Sequence, residues 1–169
     1  GRGSQGMFFA QERADAMSMA AGEQKNQGKI DWMNVQSWDR HVLELNARYG
    51  GVNTHLEIPS VMQDLGGYQN LSGLLRNEIS GRYQLFGSMV YRYRMLDNNF
   101  GAIKLPLYLS SSLEQGNVWQ RSRDMRLDDM ITAGSLGLSL DTGLGPVTLA
   151  TGLAEGGNTS IYFFLGSKI

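Results

Sequence analysis

The segment from residue 80 to residue 95 alternates between apolar and polar side chains, and this alternation limits the possible folds more than any other feature. In an extended strand, successive side chains point to opposite faces. One face would therefore be aromatic and aliphatic, and the other would carry arginine, glutamine and serine. The apolar face would consist of Tyr83, Leu85, Met89, Tyr91, Tyr93 and Met95, and the polar face of Arg82, Gln84, Ser88, Arg92 and Arg94. Phe86 and Val90 are exceptions, since both are apolar residues on the polar face.

The same alternation recurs to the end of the chain and predicts eight strands. They are expected at about residues 7–21, 29–38, 41–50, 80–95, 104–115, 130–141, 146–154 and 159–168. Most have about 10 residues or more, whereas strands of soluble sheets usually have about 5–6 and about 9–11 tilted residues cross a bilayer. Leu107, Leu138 and Leu149 are among the side chains that would face lipid. We therefore predict an all-β fold, a transmembrane antiparallel β-barrel of about eight strands per chain, with residues 1–169 as one domain.

Composition excludes several classes of function. The chain has 169 residues, a net charge of −1 and no cysteine. The nearly neutral charge gives no reason to expect a nucleic-acid partner. Without cysteine there is no thiol nucleophile, disulfide or cysteine-based metal site. No window approaches the roughly 18 uninterrupted apolar residues that a membrane helix requires.

A long loop at about residues 51–79 is too apolar to be freely solvated. Its apolar side chains are Ile58, Val61, Met62, Leu65, Tyr68, Leu71, Leu74 and Leu75. With the C-terminus in the periplasm, this loop lies outside, where outer-membrane barrels have their longer loops. An eight-stranded lumen holds only side chains or one small ligand, so a loop folded inward requires a larger wall. Two arrangements would supply a larger wall. Two copies of the chain could join into a sixteen-stranded homodimeric barrel, which is the arrangement that we favour, or this chain could be one half of a longer barrel.

Several motifs in the second half of the chain point to a family. They are Leu-Glu-Gln-Gly-Asn-Val-Trp at 113–119, Ala-Gly-Ser-Leu-Gly-Leu at 133–138, Thr-Gly-Leu-Gly-Pro-Val at 142–147, Gly-Leu-Ala-Glu-Gly-Gly at 152–157 and Tyr-Phe-Phe-Leu-Gly at 162–166. Together they resemble the C-terminal translocator barrel of patatin-like phospholipase autotransporters (type Vd secretion). That barrel belongs to the bacterial surface antigen superfamily, which includes outer-membrane assembly and translocation barrels. The resemblance covers about residues 60–169 well and the first 60 residues loosely.

The resemblance also implies a lid within the long loop. The segment 64–74 resembles the extracellular loop that folds back into the lumen in that superfamily, and its tip residues here are Gly66, Gly67, Tyr68, Asn70, Leu71, Ser72 and Gly73. In the superfamily an arginine at the lid tip is held by an acidic residue of the inner wall. Glu114, two residues before Gly116, matches the acidic position, but the tip has no arginine. Our hypothesis is that Arg76, Arg92 or Arg94 supplies the missing cation, with Arg82 on the same cationic inner wall.

Candidate chemistry is sparse. The only histidines, His41 and His55, have no acid-base partner at a fixed spacing, and no Gly-x-Ser-x-Gly motif is present. The glycine run at 134–138 lacks the lysine of a phosphate-binding loop, so we interpret its glycines as points where a strand bends. Acidic residues at 124, 128 and 129 could contact a divalent cation or lipopolysaccharide, although a solvated loop is the simpler interpretation. We therefore expect no enzymatic activity, no catalytic or metal-binding residue and no cofactor in this chain.

These expectations combine into a function. The resemblance implies an outer-membrane translocator or anchor for a secreted passenger, with a patatin-like lipase expected upstream. Its partners would be outer-membrane lipid and lipopolysaccharide, a second copy of the chain, the passenger polypeptide and the barrel assembly machinery that inserts it. One alternative is an outer-membrane insertase that assembles other barrels by strand addition. Another is a soluble all-β barrel that binds a small ligand, which would place the leucines listed above on its inside.

Overall fold

The computed structural model describes residues 3–13, 26–53, 63–100, 103–142 and 145–166. These residues form ten β-strands and two short 3-10 turns. The strands are β1 (Gly3–Arg13), β2 (Asn26–Trp38), β3 (His41–Asn53), β4 (Gln63–Leu65), β5 (Ile79–Gly81), β6 (Tyr83–Phe100), β7 (Ile103–Trp119), β8 (Ile131–Thr142), β9 (Gly145–Ala154) and β10 (Asn158–Leu165). The 3-10 turns, Ser122–Asp124 and Leu127–Asp129, lie between β7 and β8.

Eight of the strands form one antiparallel sheet in the order β1-β2-β3-β6-β7-β8-β9-β10. β3 pairs directly with β6, because β4 and β5 leave this sheet and pair with each other. The described part of the chain is therefore all-β, and within it no pairing joins β1 to β10. Among the described residues, no helix has the length and apolar character needed to cross a membrane.

Each predicted strand corresponds to a strand of this sheet, and the bounds differ most at β1, β6 and β7. β1 begins at Gly3 rather than at residue 7, and the predicted continuation over 14–21 lies outside the described residues. β6 extends five residues beyond its predicted end at 95, because its pairing with β7 continues until Phe100 meets Ile103. At its other end β7 stays paired with β6 as far as Trp119, so Gly116 lies within the strand although the predicted strand ends at 115.

The two faces of the sheet differ in what covers them. One, which we call the leucine face, is exposed, and Leu149, Ile161 and Phe163 expose 56%, 78% and 67% of their surface. Its other exposed members include Leu109, Leu113, Leu136, Leu138, Leu153 and Leu165. The opposite face, which we call the polar face, is buried although it carries Gln84, Ser88, Ser110, Glu114, Ser135 and Thr148. Among the described residues, the chain thus covers much of its polar face and leaves the leucine face exposed, the reverse of a sheet in a soluble protein.

Residues 63–81, which we call the covering loop, bury the polar face. The loop begins and ends with the β4–β5 pair, and Leu65, Leu71 and Leu74 pack from it against the sheet. The contacting sheet residues of this small core are Phe86, Ala133 and Ala154. Phe86 is only 2% exposed and Val90 only 1%, so both exceptions to the alternation lie on the covered face. The predicted loop of 51–79 differs from the structure in two ways. Its first residues, to Asn53, belong to β3, and its described part from Gln63 onward contains the β4–β5 hairpin and lies across the sheet.

Candidate functional site

The tip of the covering loop is held by a buried carboxylate. Glu114, on β7, has no exposed surface. Its Oε2 accepts a hydrogen bond from the Ser72 backbone N–H at 2.6 Å, and its Oε1 accepts one from the Ser72 hydroxyl at 2.8 Å. The Ser112 hydroxyl also donates to Oε1, and it is 2.6 Å from the Ser135 hydroxyl. Hydrogen bonds to an ionised carboxylate are stronger than neutral ones, and they compensate for burial of the charge.

The structure gives Glu114 different partners from the arginines that we predicted. Its described partners are hydroxyl and backbone groups, because Ser72 occupies the loop tip directly above the carboxylate. Arg92 instead pairs with Glu44 at 2.7 Å and donates to Gln69 of the covering loop at 3.3 Å. Arg76 is exposed on the loop, and Arg94 lies at the irregularity in β6 that ends at Leu96. The hypothesis of an arginine substitute is therefore wrong in its detail, although Arg92 does connect the wall to the loop.

Close backbone approach accounts for two of the predicted loop glycines. Gly73 has φ +102°, and a Cβ built on it would lie 2.4 Å from the Ala154 nitrogen. A Cβ on Gly152, in β9 beneath it, would lie 2.6 Å from the Gly73 nitrogen. Gly66 has φ +130°, and a Cβ there would lie 2.1 Å from the Leu75 carbonyl oxygen. Only glycine therefore fits where the loop crosses β9 and where it turns on itself.

Gly116 has a similar steric role in the sheet. A Cβ on this residue would lie 3.0 Å from Phe86 Cδ2 and 3.2 Å from Leu65 Cδ1. The missing side chain therefore leaves the space into which the covering loop inserts Leu65.

β10 holds the other side of the loop tip, and sequence reasoning missed its contribution. The Tyr162 hydroxyl accepts a hydrogen bond from the Gly73 N–H and donates one to the Leu74 carbonyl, each at 3.0 Å. The Ser160 hydroxyl donates to the Gly73 carbonyl at 2.8 Å. The available signal was that Tyr162 lies on the opposite face from Ile161 and Phe163, where a tyrosine needs a polar partner.

Polar contacts also connect the loop to β3. Arg48 Nη1 donates to Asn70 Oδ1 at 3.1 Å, and Arg48 Nε pairs with Asp31 at 3.1 Å. Lys29 lies 3.1 Å from the second oxygen of the same Asp31 carboxylate. Two cations therefore share one anion at this end of the loop. Arg48 alternates with Ala47 and Tyr49 in β3, but its partners lie on another strand and on the covering loop, so a local pattern does not identify them.

The covering loop, β3 and β10 enclose a cavity of about 380 Å³. Arg48, Arg76 and Asn77 are among its polar lining residues, and Gln69 and Asn70 add two amides. Because β3 and β10 are separated by four other strands in the sheet order and still line one cavity, the sheet curves around the loop.

Three aromatic rings form another side of this cavity. The Tyr68 centroid is 5.5 Å from those of Tyr162 and Phe164, which are near-parallel and 6.2 Å apart. The Tyr68 hydroxyl is 3.0 Å from the Ser110 hydroxyl. Both phenol groups are thus engaged with the protein, and the rings remain as lining surface.

A further predicted residue, Arg82, lies beside Trp119 near the start of β6. Arg82 is in the bend between β5 and β6, where its backbone N–H donates to the Trp119 carbonyl at 3.0 Å, and is not on the strand face. The Arg82 Nε and Trp119 Nε1 atoms are buried and lack a hydrogen-bond partner. Burying an N–H group without an acceptor is costly. This end of the sheet therefore has two N–H donors that could bind an acceptor.

The remaining candidates do not assemble into a reaction site. His41 Nδ1 is 2.6 Å from the Tyr91 hydroxyl and its ring packs on Trp38 and Tyr93, while His55 lies outside the described residues. Asp124, Asp128 and Asp129 lie in the exposed 3-10 turns. Within the described ranges, no group of three histidine, cysteine or acidic side chains is arranged to hold a metal ion.

A scan against protein-family models finds no match for this chain, and a search of curated proteins also finds none.

Proposed function

We propose that this chain forms part of the wall of an outer-membrane β-barrel and serves as the translocator or anchor of a secreted passenger. The observation that carries the proposal is the reversed burial of the sheet. Leu149 and Phe163 are 56% and 67% exposed, while Gln84 and Glu114 on the other face are 2% and 0% exposed. A bilayer covers an outward apolar band of this kind, and a barrel interior accommodates the polar face.

The strand lengths support the same proposal. β2, β3, β8 and β9 have 13, 13, 12 and 10 residues, and about 9–11 tilted residues span a bilayer. β6 and β7 are longer, with 18 and 17 residues, and would project beyond the bilayer. The covering loop would then occupy the lumen, with Glu114 and Arg92 holding it in place.

The open edges of the sheet favour an assembly. In lipid, each unpaired backbone group of an edge strand costs several kcal/mol, so β1 and β10 need further strands. We propose that a second copy supplies them and that two eight-stranded sheets form one sixteen-stranded wall. Native mass spectrometry from detergent tests this step, with the dimer mass expected. Only the monomer mass would refute it and would leave the longer single-chain barrel as the alternative.

Two alternative functions, an insertase and a soluble ligand-binding barrel, require different structural features. An insertase needs a weak seam through which client strands pair with an edge, and the open edges are compatible with one. A soluble ligand-binding barrel needs the leucines inside, whereas Leu136, Leu138 and Leu149 are exposed here. The exposed leucine face therefore favours both membrane proposals over the soluble one.

A fractionation experiment tests membrane insertion. The chain, exported in a bacterium with two membranes, is expected in the urea-resistant outer-membrane fraction, with a heat-modifiable mobility on gels. Recovery in the soluble periplasm would contradict the proposal.

Surface exposure of a passenger tests the translocator function itself. An epitope placed ahead of residue 1 is expected to become protease-sensitive on intact cells. Retention of a protected epitope, combined with altered levels of other barrels, would favour the insertase instead.

A further inference from the structure

We propose that the cavity beneath the covering loop binds an anionic saccharide, meaning a sugar ring that carries a phosphate or carboxylate group. The cavity has a volume of about 380 Å³, within the range of roughly 300–1,000 Å³ typical of small-molecule sites. This inference goes beyond the translocator proposal, because it depends on the arrangement of the loop on the sheet and not on the membrane.

The charge of the cavity calls for an anion. Arg48 and Arg76 both line it, and Arg48 shares the Asp31 carboxylate with Lys29. Glu78, which follows the lining residue Asn77 in the chain, accepts a hydrogen bond from the Leu75 backbone N–H at 2.5 Å. The described lining of the cavity therefore contains two guanidinium groups and no carboxylate. A guanidinium is well suited to bind a phosphate or carboxylate through two parallel hydrogen bonds.

The uncommitted polar groups identify where the anion would bind. Within the described residues, the side chains of Arg76 and Asn77 have no hydrogen bond or ion pair, although both line the cavity. In contrast, Asn70 is bound to Arg48, and Gln69 to Arg92. We assign the anionic group to Arg76, and a neighbouring sugar hydroxyl to the Asn77 amide.

The aromatic side of the cavity provides a surface on which a sugar ring can pack. The hydroxyls of Tyr68 and Tyr162 are already bonded to Ser110 and to the loop backbone, so these side chains and Phe164 contribute ring surface. Ring surface packs well against the C–H groups of a sugar. An apolar peptide side chain would make no use of the Arg76 and Asn77 donors, whereas an anionic sugar can accept hydrogen bonds from both.

Calorimetric titration of the purified chain in detergent tests the proposal, with glucose 6-phosphate, galacturonate, glucose and inorganic phosphate as probes. We expect both charged sugars to bind at least about tenfold more tightly than glucose or inorganic phosphate, the difference that one charge-assisted contact supplies. Equal affinity for glucose would refute the anion site, and equal affinity for inorganic phosphate would refute the sugar site. Tighter binding of an aromatic tripeptide with a free carboxylate would replace the saccharide by a peptide and so overturn the proposal.

Variants locate the site without disturbing the loop anchors. Arg76→Gln and Phe164→Leu should each weaken glucose 6-phosphate binding, Arg76→Gln by about tenfold. Arg123→Gln is the matched control, since the Arg123 side chain is 73% exposed on a distant turn. Unchanged affinity in Arg76→Gln, or an equal loss in the control, would refute the assignment. Loop protease sensitivity, measured in parallel, verifies that each variant keeps the loop in place.

A further pair of probes separates two sources of the ligand. Tighter binding of a deacylated core oligosaccharide from lipopolysaccharide than of glucose 6-phosphate would assign the site to the membrane surface glycan. The opposite order would assign it to a free sugar. Either order supports the saccharide site, and neither depends on whether the leucine face contacts lipid, so this proposal fails or holds separately from the translocator proposal.

Discussion

The two faces of the sheet differ in the chemistry of their side chains and in what covers them. The polar face carries a buried glutamate, glutamine and several hydroxyls. The covering loop supplies partners to Glu114, Gln84 and Ser110. The leucine face carries side chains as exposed as Leu153 at 60% and Ile161 at 78%, and no described segment covers them. The comparison teaches that the loop satisfies hydrogen bonds that water would otherwise make, whereas the leucines depend on an environment outside the chain. The variants below alter one face at a time.

The largest effect is expected from Glu114→Ala on the polar face. It removes the acceptor of hydrogen bonds from the Ser72 N–H, the Ser72 hydroxyl and the Ser112 hydroxyl. We expect a loss of at least about 3 kcal/mol in unfolding free energy, because each hydrogen bond to a charged group contributes roughly 1.5–3 kcal/mol. Thermal unfolding and protease cleavage of the covering loop measure it. Glu155→Ala, on an exposed turn, is the control, and equal behaviour of the two variants would show that Glu114 is not an anchor.

The leucine face should respond next, and only in a bilayer. Leu149→Arg places a charge within the exposed apolar band and should destabilise the protein in lipid vesicles by about 2 kcal/mol or more. Leu127→Arg changes an even more exposed leucine, on a 3-10 turn, and should have almost no effect. Unfolding titrations in vesicles compare the two variants. If Leu149→Arg were as stable as Leu127→Arg, the leucine face would not lie in lipid.

Gly73→Ala should push the covering loop away from β9, because the new methyl group would clash with the β9 backbone. The new Cβ would lie 2.4 Å from the Ala154 nitrogen at a φ of +102°, and we expect a loss of about 2 kcal/mol from the strained backbone. Gly28→Ala introduces the same methyl group where nothing lies within 4 Å. Hydrogen exchange of the covering loop should increase in Gly73→Ala and not in Gly28→Ala. Unchanged exchange in both would mean that the close approach is not required.

The smallest effect is expected for the pair between Arg92 and Glu44. Their side chains are 30% and 20% exposed, so solvent screens the 2.7 Å contact. Arg92→Gln should cost about 1 kcal/mol and loosen the loop slightly, since the contact with Gln69 is also lost. A double-mutant cycle with Glu44→Gln isolates the interaction, and zero coupling between the two would remove Arg92 from the account of how the loop is held.

Sequence reasoning predicted the strands well because their pattern is local. The alternation around Tyr91, Leu138 and Leu149 has the period of a strand. Of the two apolar exceptions, Phe86 packs against the leucines of the covering loop. The limits of β6 and β7 were wrong because Asp97 and its neighbours have the composition of a turn, although pairing with Pro106 and Leu105 keeps them extended.

The loop contacts were harder to predict because they join residues far apart in the chain. The acidic anchor, Glu114, was suggested by resemblance, but its partner, Ser72, depends on where the loop tip crosses the sheet. The Tyr162 contact with Gly73 spans 89 residues, and the Arg48 contact with Asn70 joins two elements with no shared pattern. Periodicity assigns a side chain to a face, but it does not determine which loop residue will lie above it.

Site-directed spin labelling in lipid vesicles tests the central claim most directly, and the absence of cysteine makes single labelling sites simple to introduce. Labels at Leu138 and Leu149 should be accessible to oxygen dissolved in the bilayer and protected from a water-soluble nickel reagent. A label at Leu127, on the exposed turn, should show the reverse. If Leu138 and Leu149 were as accessible to the nickel reagent as Leu127, the leucine face would be in water and the membrane account would be contradicted.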